Sequence, residues 1–300
     1  MAEPLESDSS LLVVVLDVNA TAWARSPLPL DKALQQMIIF INAYLALNPE
    51  NRLVVLGTGQ GDCRFLFPSD RTPPSEDIQV YEQFRAVDVK VLAGVKAMVD
   101  EHTASQPQSM VSRALSMALC HIHHASQSAL SKIWSRVLVL SAGDDCPREY
   151  ISLMNAIFAA QKMSVVIDVC KAVGVDSVFL QQASEISGGN YVKIDPHKDE
   201  SLLQTLLFTC LPDQYTRGIL SAPGNEHIDF RATCFCHKRV VNVGYVCSVC
   251  LSIFCQMAPV CSTCQTKFSF KLVRAGSAGS QANGNATPAA TAAISSLSIN

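Results

Sequence analysis

The chain has 300 residues, of which 49% are hydrophobic and only 16% charged. That balance provides for one sizeable core plus a small second domain and excludes a disordered chain. No stretch approaches eighteen uninterrupted apolar residues, which excludes a membrane-spanning helix. The acidic opening MAEPLESDSS, with no small-residue cleavage site after its apolar run, does not read as a secretory leader. The net charge of −3 hides an asymmetry, because residues 231–274 carry six Lys or Arg and no Asp or Glu.

Residues 1–10 are expected to be a flexible N-terminus. Leu11 to Leu16 is then a run of six apolar residues without alternation, the pattern of a central parallel strand covered on both faces. Asp17 closes it at the carboxyl end, where open α/β sheets place their ligands. The loop Asp17-Val-Asn19-Ala-Thr21 stands where von Willebrand A domains carry the Asp-x-Ser-x-Ser of a metal-dependent adhesion site. Asn and Thr offer neutral oxygens to a hard cation such as Mg²⁺. The expectation, however, is a degenerate and empty site in which Asp17 and Thr21 satisfy backbone donors.

Leu30, Leu34, Met37, Ile38, Ile41 and Leu45 share one stripe of a helix over 30–47, and LVVL within 52–57 is the next strand. Such alternation of buried strand and amphipathic helix predicts a doubly wound, mostly parallel α/β sheet. Gly57, Gly59 and Gly61 fail the dinucleotide fingerprint, since Asp62 occupies the third glycine position and Arg64–Phe67 reads as a strand. They predict a hairpin turn. No P-loop sequence occurs anywhere in the chain.

Residues 68–78 are a Pro- and Ser-rich loop, followed by helices over 81–101 and 111–124, the second burying Val111, Leu115, Leu119 and Ile122. His121, His123 and His124 are spread around that helix and read as a solvated helix end. Arg136–Leu140 is a third strand, and Asp144 in the following loop stands where a von Willebrand A domain adds a further metal ligand. A helix over 148–161, a strand over 165–169 holding Asp168, a helix over 177–186 capped by Ser187-Gly188-Gly189, a short strand over 191–194 and a last helix over 201–211 complete an A-like domain spanning 11–212. Residues 213–230 are read as a linker, 231–272 as a cysteine-rich zinc-binding module and 273–300 as a disordered low-complexity tail.

Seven of the twelve cysteines lie between Cys234 and Cys264. Cys247-x-x-Cys250 and Cys261-x-x-Cys264 are two knuckles that bring four thiolates into the tetrahedron zinc accepts, with Zn–S distances of about 2.3 Å. Without a secretory leader the thiols are expected to stay reduced, so metal is favoured over disulfides. Cys234, Cys236, His237 and Cys255 offer the ligands of a second tetrahedron. Against that, Cys255 reads equally as a small apolar residue beside Ile253 and Phe254, and His237 as a solvated loop residue beside Lys238 and Arg239. Two such zinc centres, with net charges of about −2 and −1, would halve the positive charge of the segment. The basic residues are scattered and have no interleaved aromatics, so specific DNA binding is not expected.

The A-like sheet followed by CFCHKR, GYVCSVCLSIFC and CSTC, with MNAIFAAQK at 154–162 and LPDQ at 211–214, resembles the subunit 3 family of general transcription factor IIH. That is the smaller of the complex's two von Willebrand A subunits. The resemblance implies a non-catalytic nuclear scaffold of the core complex, serving RNA polymerase II initiation and nucleotide excision repair. It implies that the A domain docks the cysteine-rich C-terminal region of the larger A-domain subunit, and that Cys247, Cys250, Cys261 and Cys264 hold zinc. Asn19 and Thr21 depart from the adhesion-site serines, and Ser109 stands near where such sites carry a further Thr.

The residues themselves agree with a non-enzyme: they show no nucleophile paired with a base, no phosphate loop and no paired carboxylates in a plausible cleft. Two other classes compete. One is a RING-like ubiquitin ligase, although a RING wants a central His and only Cys255 lies between Cys250 and Cys261. The other is an A domain that binds its ligand through Mg²⁺.

Overall fold

The computed structural model describes residues 9–268 except 60, 68–79, 102–109, 129–132, 147, 195–200, 221–227 and 229. The expected loop over 68–78, Ser109, the first eight residues and the tail from 273 lie outside them. The chain divides into two compact units, Met1–Asp229 and Phe230–Asn300.

The first unit is a six-stranded sheet in the order β3-β2-β1-β4-β5-β6, made of β1 Ser10–Asp17, β2 Arg52–Thr58, β3 Cys63–Phe67, β4 Trp134–Ser141, β5 Val166–Lys171 and β6 Tyr191–Lys193. All neighbours pair in parallel except β2 and β3, which the glycine-containing turn joins as an antiparallel hairpin. β1 is central because every residue from Leu11 to Asp17 is buried. Its alternate residues serve opposite faces of the sheet. Leu12, Val14 and Leu16 join a core with α2 Leu30–Leu47, α3 Val80–Asp100 and α7 Ser201–Thr205. On the other face α4 Val111–Ser128, α5 Tyr150–Lys162 and α6 Val178–Ser187 pack against one another and the strands. Fully burying one such aliphatic side chain stabilises the fold by about 1.5–3 kcal/mol. The helix over 30–47 has a wider buried face than its leucine stripe, since Phe40 and Tyr44 are also fully covered.

A single turn, α1 Ala20–Trp23, follows β1 and was not legible in the sequence. Asn19 caps it, and the Trp23 indole donates to the Asp17 carbonyl at 2.7 Å. The helix expected over 201–211 changes character midway: α7 passes into a π-helical turn over Leu206–Cys210, with Leu211 N–H bonded to Leu206 C=O at 3.0 Å. The last carbonyls of a helix lack intrahelical partners, and Arg136 collects those of Cys210, Leu211 and Pro212 at 2.7–3.1 Å.

The expected linker begins inside the domain. Residues 214–219 form α8 Gln214–Ile219, capped by Asp213, whose carboxylate accepts from Thr216 N–H at 2.9 Å. Arg217 on that helix makes a two-pronged ion pair with Asp168 of β5, at 2.8 and 2.6 Å. A polar composition thus concealed a helix that the domain core needs, because Asp168 is 1% exposed and its charge requires a partner there.

Candidate metal centre

The second unit repeats one hairpin three times. After Cys234, Cys247 and Cys261 the chain turns so that the N–H of the residue four positions on (Lys238, Leu251, Gln265) bonds back to the cysteine carbonyl. In each, the cysteine's own N–H bonds to the carbonyl five positions on, in Arg239, Ser252 and Thr266. Lys238, Leu251 and Gln265 all take the left-handed conformation, with φ of 56°, 59° and 59°. For a residue with a Cβ this costs roughly 1–2 kcal/mol. The flanks pair in the same register each time, Thr233 with Val240, Val246 with Ile253 and Val260 with Lys267. The middle pair belongs to the short strands β7 Tyr245–Val246 and β8 Ile253–Phe254.

This repetition explains the arrangement that looked irregular in the sequence. In the first hairpin His237 occupies the position that Cys250 and Cys264 occupy in the others, so Cys234-x-x-His237 is a knuckle like Cys-x-x-Cys, with Cys236 as an additional thiol. The hairpins bring together two groups whose ligand atoms all lie within 4.8 Å of one another: Cys247, Cys250, Cys261 and Cys264, and Cys234, Cys236, His237 and Cys255. In the first, Cys247 Sγ is 3.7 Å from Cys264 Sγ and Cys250 Sγ is 3.5 Å from Cys261 Sγ. In the second, Cys255 Sγ is 3.5 Å from Cys236 Sγ and 3.1 Å from His237 Nδ1. A tetrahedron with metal–sulfur bonds of about 2.3 Å has edges of about 3.8 Å. These are non-bonded thiols at ligand spacing, and none of the seven cysteines here is in a disulfide. Both donor sets fit Zn²⁺. Cys255 therefore stands in a ligand group rather than serving only to pack. Along the chain the two groups interleave, since Cys255 of the second lies between the two knuckles of the first.

The surroundings favour the thiolate at three of the sulfurs, whereas Cys247 and Cys255, which share protons with neighbouring thiols, are each pushed up to about 11. Ser252 Oγ lies 3.2 Å from Cys250 Sγ. That hydroxyl, helped by the Ser252 amide, draws the Cys250 thiol down to about 6. Thr266 Oγ1, 3.1 Å from Cys264 Sγ, lowers Cys264 in the same way. Burial works against Cys234, but the amides of Arg239 and His237 bring it to about 7. The first group is the more enclosed, with Cys247 and Cys261 each 1% exposed, whereas Cys236 and His237 are open to solvent. The unit's buried apolar core is Cys247, Phe254 and Cys261, flanked by Phe235 and Phe268.

The adhesion-type residues of the first unit meet at the switch point between β1 and β4, as the strand order requires. The oxygens of Asp17 and Asn19 already accept hydrogen bonds. Asp17 Oδ1 accepts from Asn19 N–H at 3.1 Å, and Oδ2 accepts from Ala142 and Gly143 N–H at 3.0 and 2.7 Å. Asn19 Oδ1 accepts from the backbone and hydroxyl of Thr21 at 3.1 and 2.7 Å. Asp145 accepts from Ser177 Oγ and Phe179 N–H at the start of α6. Burial raises the Asp145 carboxyl despite those bonds. Asp144 is exposed. Behind them the buried ammonium of Lys171 donates to the Gly143 carbonyl. With that ammonium in place the donor set does not fit a divalent cation. The sequence reading had ended that strand at Val169, so Lys171 was missed, and nothing in its neighbours marks it as buried.

The histidines of α4 part company: His123 and His124 are exposed, while the His121 ring tilts against Phe65 with centroids 5.8 Å apart. Among the described residues they belong to no ligand cluster.

A doubly wound sheet with one antiparallel edge strand and an aspartate-led loop after β1, followed by a unit of cysteine knuckles, defines a von Willebrand A-like domain joined to a metal-ligand module. A family model described as "Transcription factor Tfb4" matches residues 9–265, and the chain belongs to that family. It is 40% identical over 278 residues to the general transcription and DNA repair factor IIH subunit tfb4 of Schizosaccharomyces pombe, covering 90% of this chain and 92% of that one. It is 36% identical over 271 residues to the subunit TFB4 of Arabidopsis thaliana, with 87% and 89% coverage. The crystal structure of the TFIIH p34 N-terminal domain superposes with a TM-score of 0.58 at 30% identity, covering 67% of this chain and 97% of that one.

Proposed function

We propose that the chain is a non-catalytic scaffold subunit of general transcription factor IIH, acting in the nucleus in RNA polymerase II initiation and nucleotide excision repair. Family membership across residues 9–265, both units included, carries this reading. Relatives at 36–40% identity bear the name of that factor's subunit. The carboxyl-edge aspartates support a scaffold role, because Asp17 and Asp145 hold amides and a helix end rather than standing ready for a substrate.

In the same reading Cys247, Cys250, Cys261 and Cys264 hold one Zn²⁺ and Cys234, Cys236, His237 and Cys255 a second. Their chemistry is structural: four protein ligands close the coordination sphere and leave no position for a reacting water. The A domain docks the cysteine-rich C-terminal region of the larger A-domain subunit.

The test is co-expression of the full chain with that fragment, followed by size exclusion and metal analysis. A one-to-one complex with two zinc ions per copy of this chain is expected. Two folded, zinc-loaded partners that elute separately would overturn the docking assignment.

A further inference from the structure

The disagreement between the adhesion-type loop and a divalent cation has a structural origin in Lys171. Its side chain is 0% exposed although it ends β5 at the carboxyl edge, where the loops after β1 and β4 meet. A fully buried ammonium is costly unless its charge is answered. The Gly143 carbonyl accepts from Nζ, and Gly143 N–H in turn donates to Asp17 Oδ2. One glycine residue therefore ties the ammonium to the carboxylate that would anchor a metal. We propose that Lys171 is the resident cation of this site: a tethered ammonium answers the negative charge of the Asp17 loop, so that the A domain needs no divalent ion.

Three observations bear on this. The carboxylates around the ammonium are Asp17, Asp144, Asp145 and Asp176. Burial lowers the Lys171 ammonium, and those four acids oppose the lowering, Asp17 most. Three of them have other structural duties: Asp17 holds the loop amides, Asp145 the start of α6, and Asp176 Tyr191 and Lys193 at 3.2 Å each. Both oxygens of Asp17 and the Asn19 oxygen accept hydrogen bonds with which an incoming ion would have to compete, against a site whose charge the ammonium already answers. The ammonium needs no such competition, because it donates to the Gly143 carbonyl and lies in the field of the four carboxylates. Contact with a partner at this edge then does not run through a metal-bridged carboxylate.

The experiment uses the full, zinc-loaded chain. Mn²⁺ binding is read by electron paramagnetic resonance, and the melting temperature of the A domain is followed with and without millimolar Mg²⁺. Wild type is expected to bind no Mn²⁺ at the sheet edge and to melt at the same temperature in both conditions. Lys171→Ser should melt lower without metal and recover with Mg²⁺, and adding Asp17→Asn should abolish the recovery. Lys171→Met separates charge from volume: an ammonium that is only a burial liability predicts a higher melting temperature, whereas the proposal expects a lower one. Mn²⁺ bound by wild type and lost in Asp17→Asn would overturn the proposal even if the Lys171 variants fail to fold. So would a Lys171→Met protein as stable as wild type, or a folded Lys171→Ser protein indifferent to Mg²⁺.

Discussion

In the sheet domain the ionisable groups of the interior are matched by the chain itself. Arg217 answers Asp168, amides answer Asp17, and a layer of buried aliphatic side chains surrounds them. In the cysteine-rich unit the buried apolar core is Cys247, Phe254 and Cys261, two of which are candidate ligands. A core of that size falls far short of the ordering entropy of some forty residues, each costing about 1–2 kcal/mol. In the proposed function zinc supplies the difference. One unit should thus fold without added components and the other only when loaded, although they belong to one chain.

The largest effect expected from this contrast is in the module. Stripping zinc, or replacing Cys247 by Ser, should remove most of the apparent binding free energy of about 10–16 kcal/mol that doubles as folding energy at such sites. Amide exchange would then show residues 230–268 unprotected while the sheet domain melts as wild type. Equal loss of protection in both units would end the comparison. Next comes Arg217→Met, which strands the Asp168 carboxylate at 1% exposure and should cost about 3–5 kcal/mol in urea unfolding of the sheet domain, leaving zinc content unchanged.

His237→Ala sharpens the difference between the two centres. It opens the exposed group while sparing the enclosed one, so mass spectrometry under native conditions should find one tightly held zinc where two are expected in wild type. Smallest is Asp213→Ala, which removes the cap of α8 and should cost about 1 kcal/mol. The hydrogen bond from Thr216 holds the Asp213 carboxyl below its usual value. Its contribution is therefore present above the ordinary carboxylate range and fades as pH falls through the lowered folded value. Wild type and variant should converge in acid. A gap that persists there would assign the effect to something other than the charge.

The sheet was readable because its strands carry the signature of burial on both faces and its helices the matching stripes. β1, α2 and the turn between β2 and β3 fall where the apolar runs and glycines put them. The misses have separate physical causes. The polar stretch after Pro212 disguised α8, although Asp213 three residues before Thr216 is a capping signal in plain view. The π-turn over Leu206–Cys210 has no local signature, since Arg136, which takes the carbonyls at the end of that helix, lies seventy-odd residues away in sequence. Lys171 was hidden because lysine ordinarily marks solvent, and only the meeting of two distant loops makes it an interior residue. The second ligand group stayed open because Cys-x-Cys-His looks irregular until the hairpin shows that residue 237 occupies the fourth place of a knuckle.

The alternation of the two ligand groups along the chain has a consequence for synthesis. Translation delivers Cys234, Cys236, His237, Cys247, Cys250 and Cys255 before either Cys261 or Cys264 exists. An ion captured at that stage meets five thiols and one imidazole, from which more than one tetrahedron can be assembled. Only the last hairpin draws Cys247 and Cys250 away into their own centre. With two zinc ions bound as proposed, the nascent module would pass through a stage of ligand exchange before the last hairpin arrives.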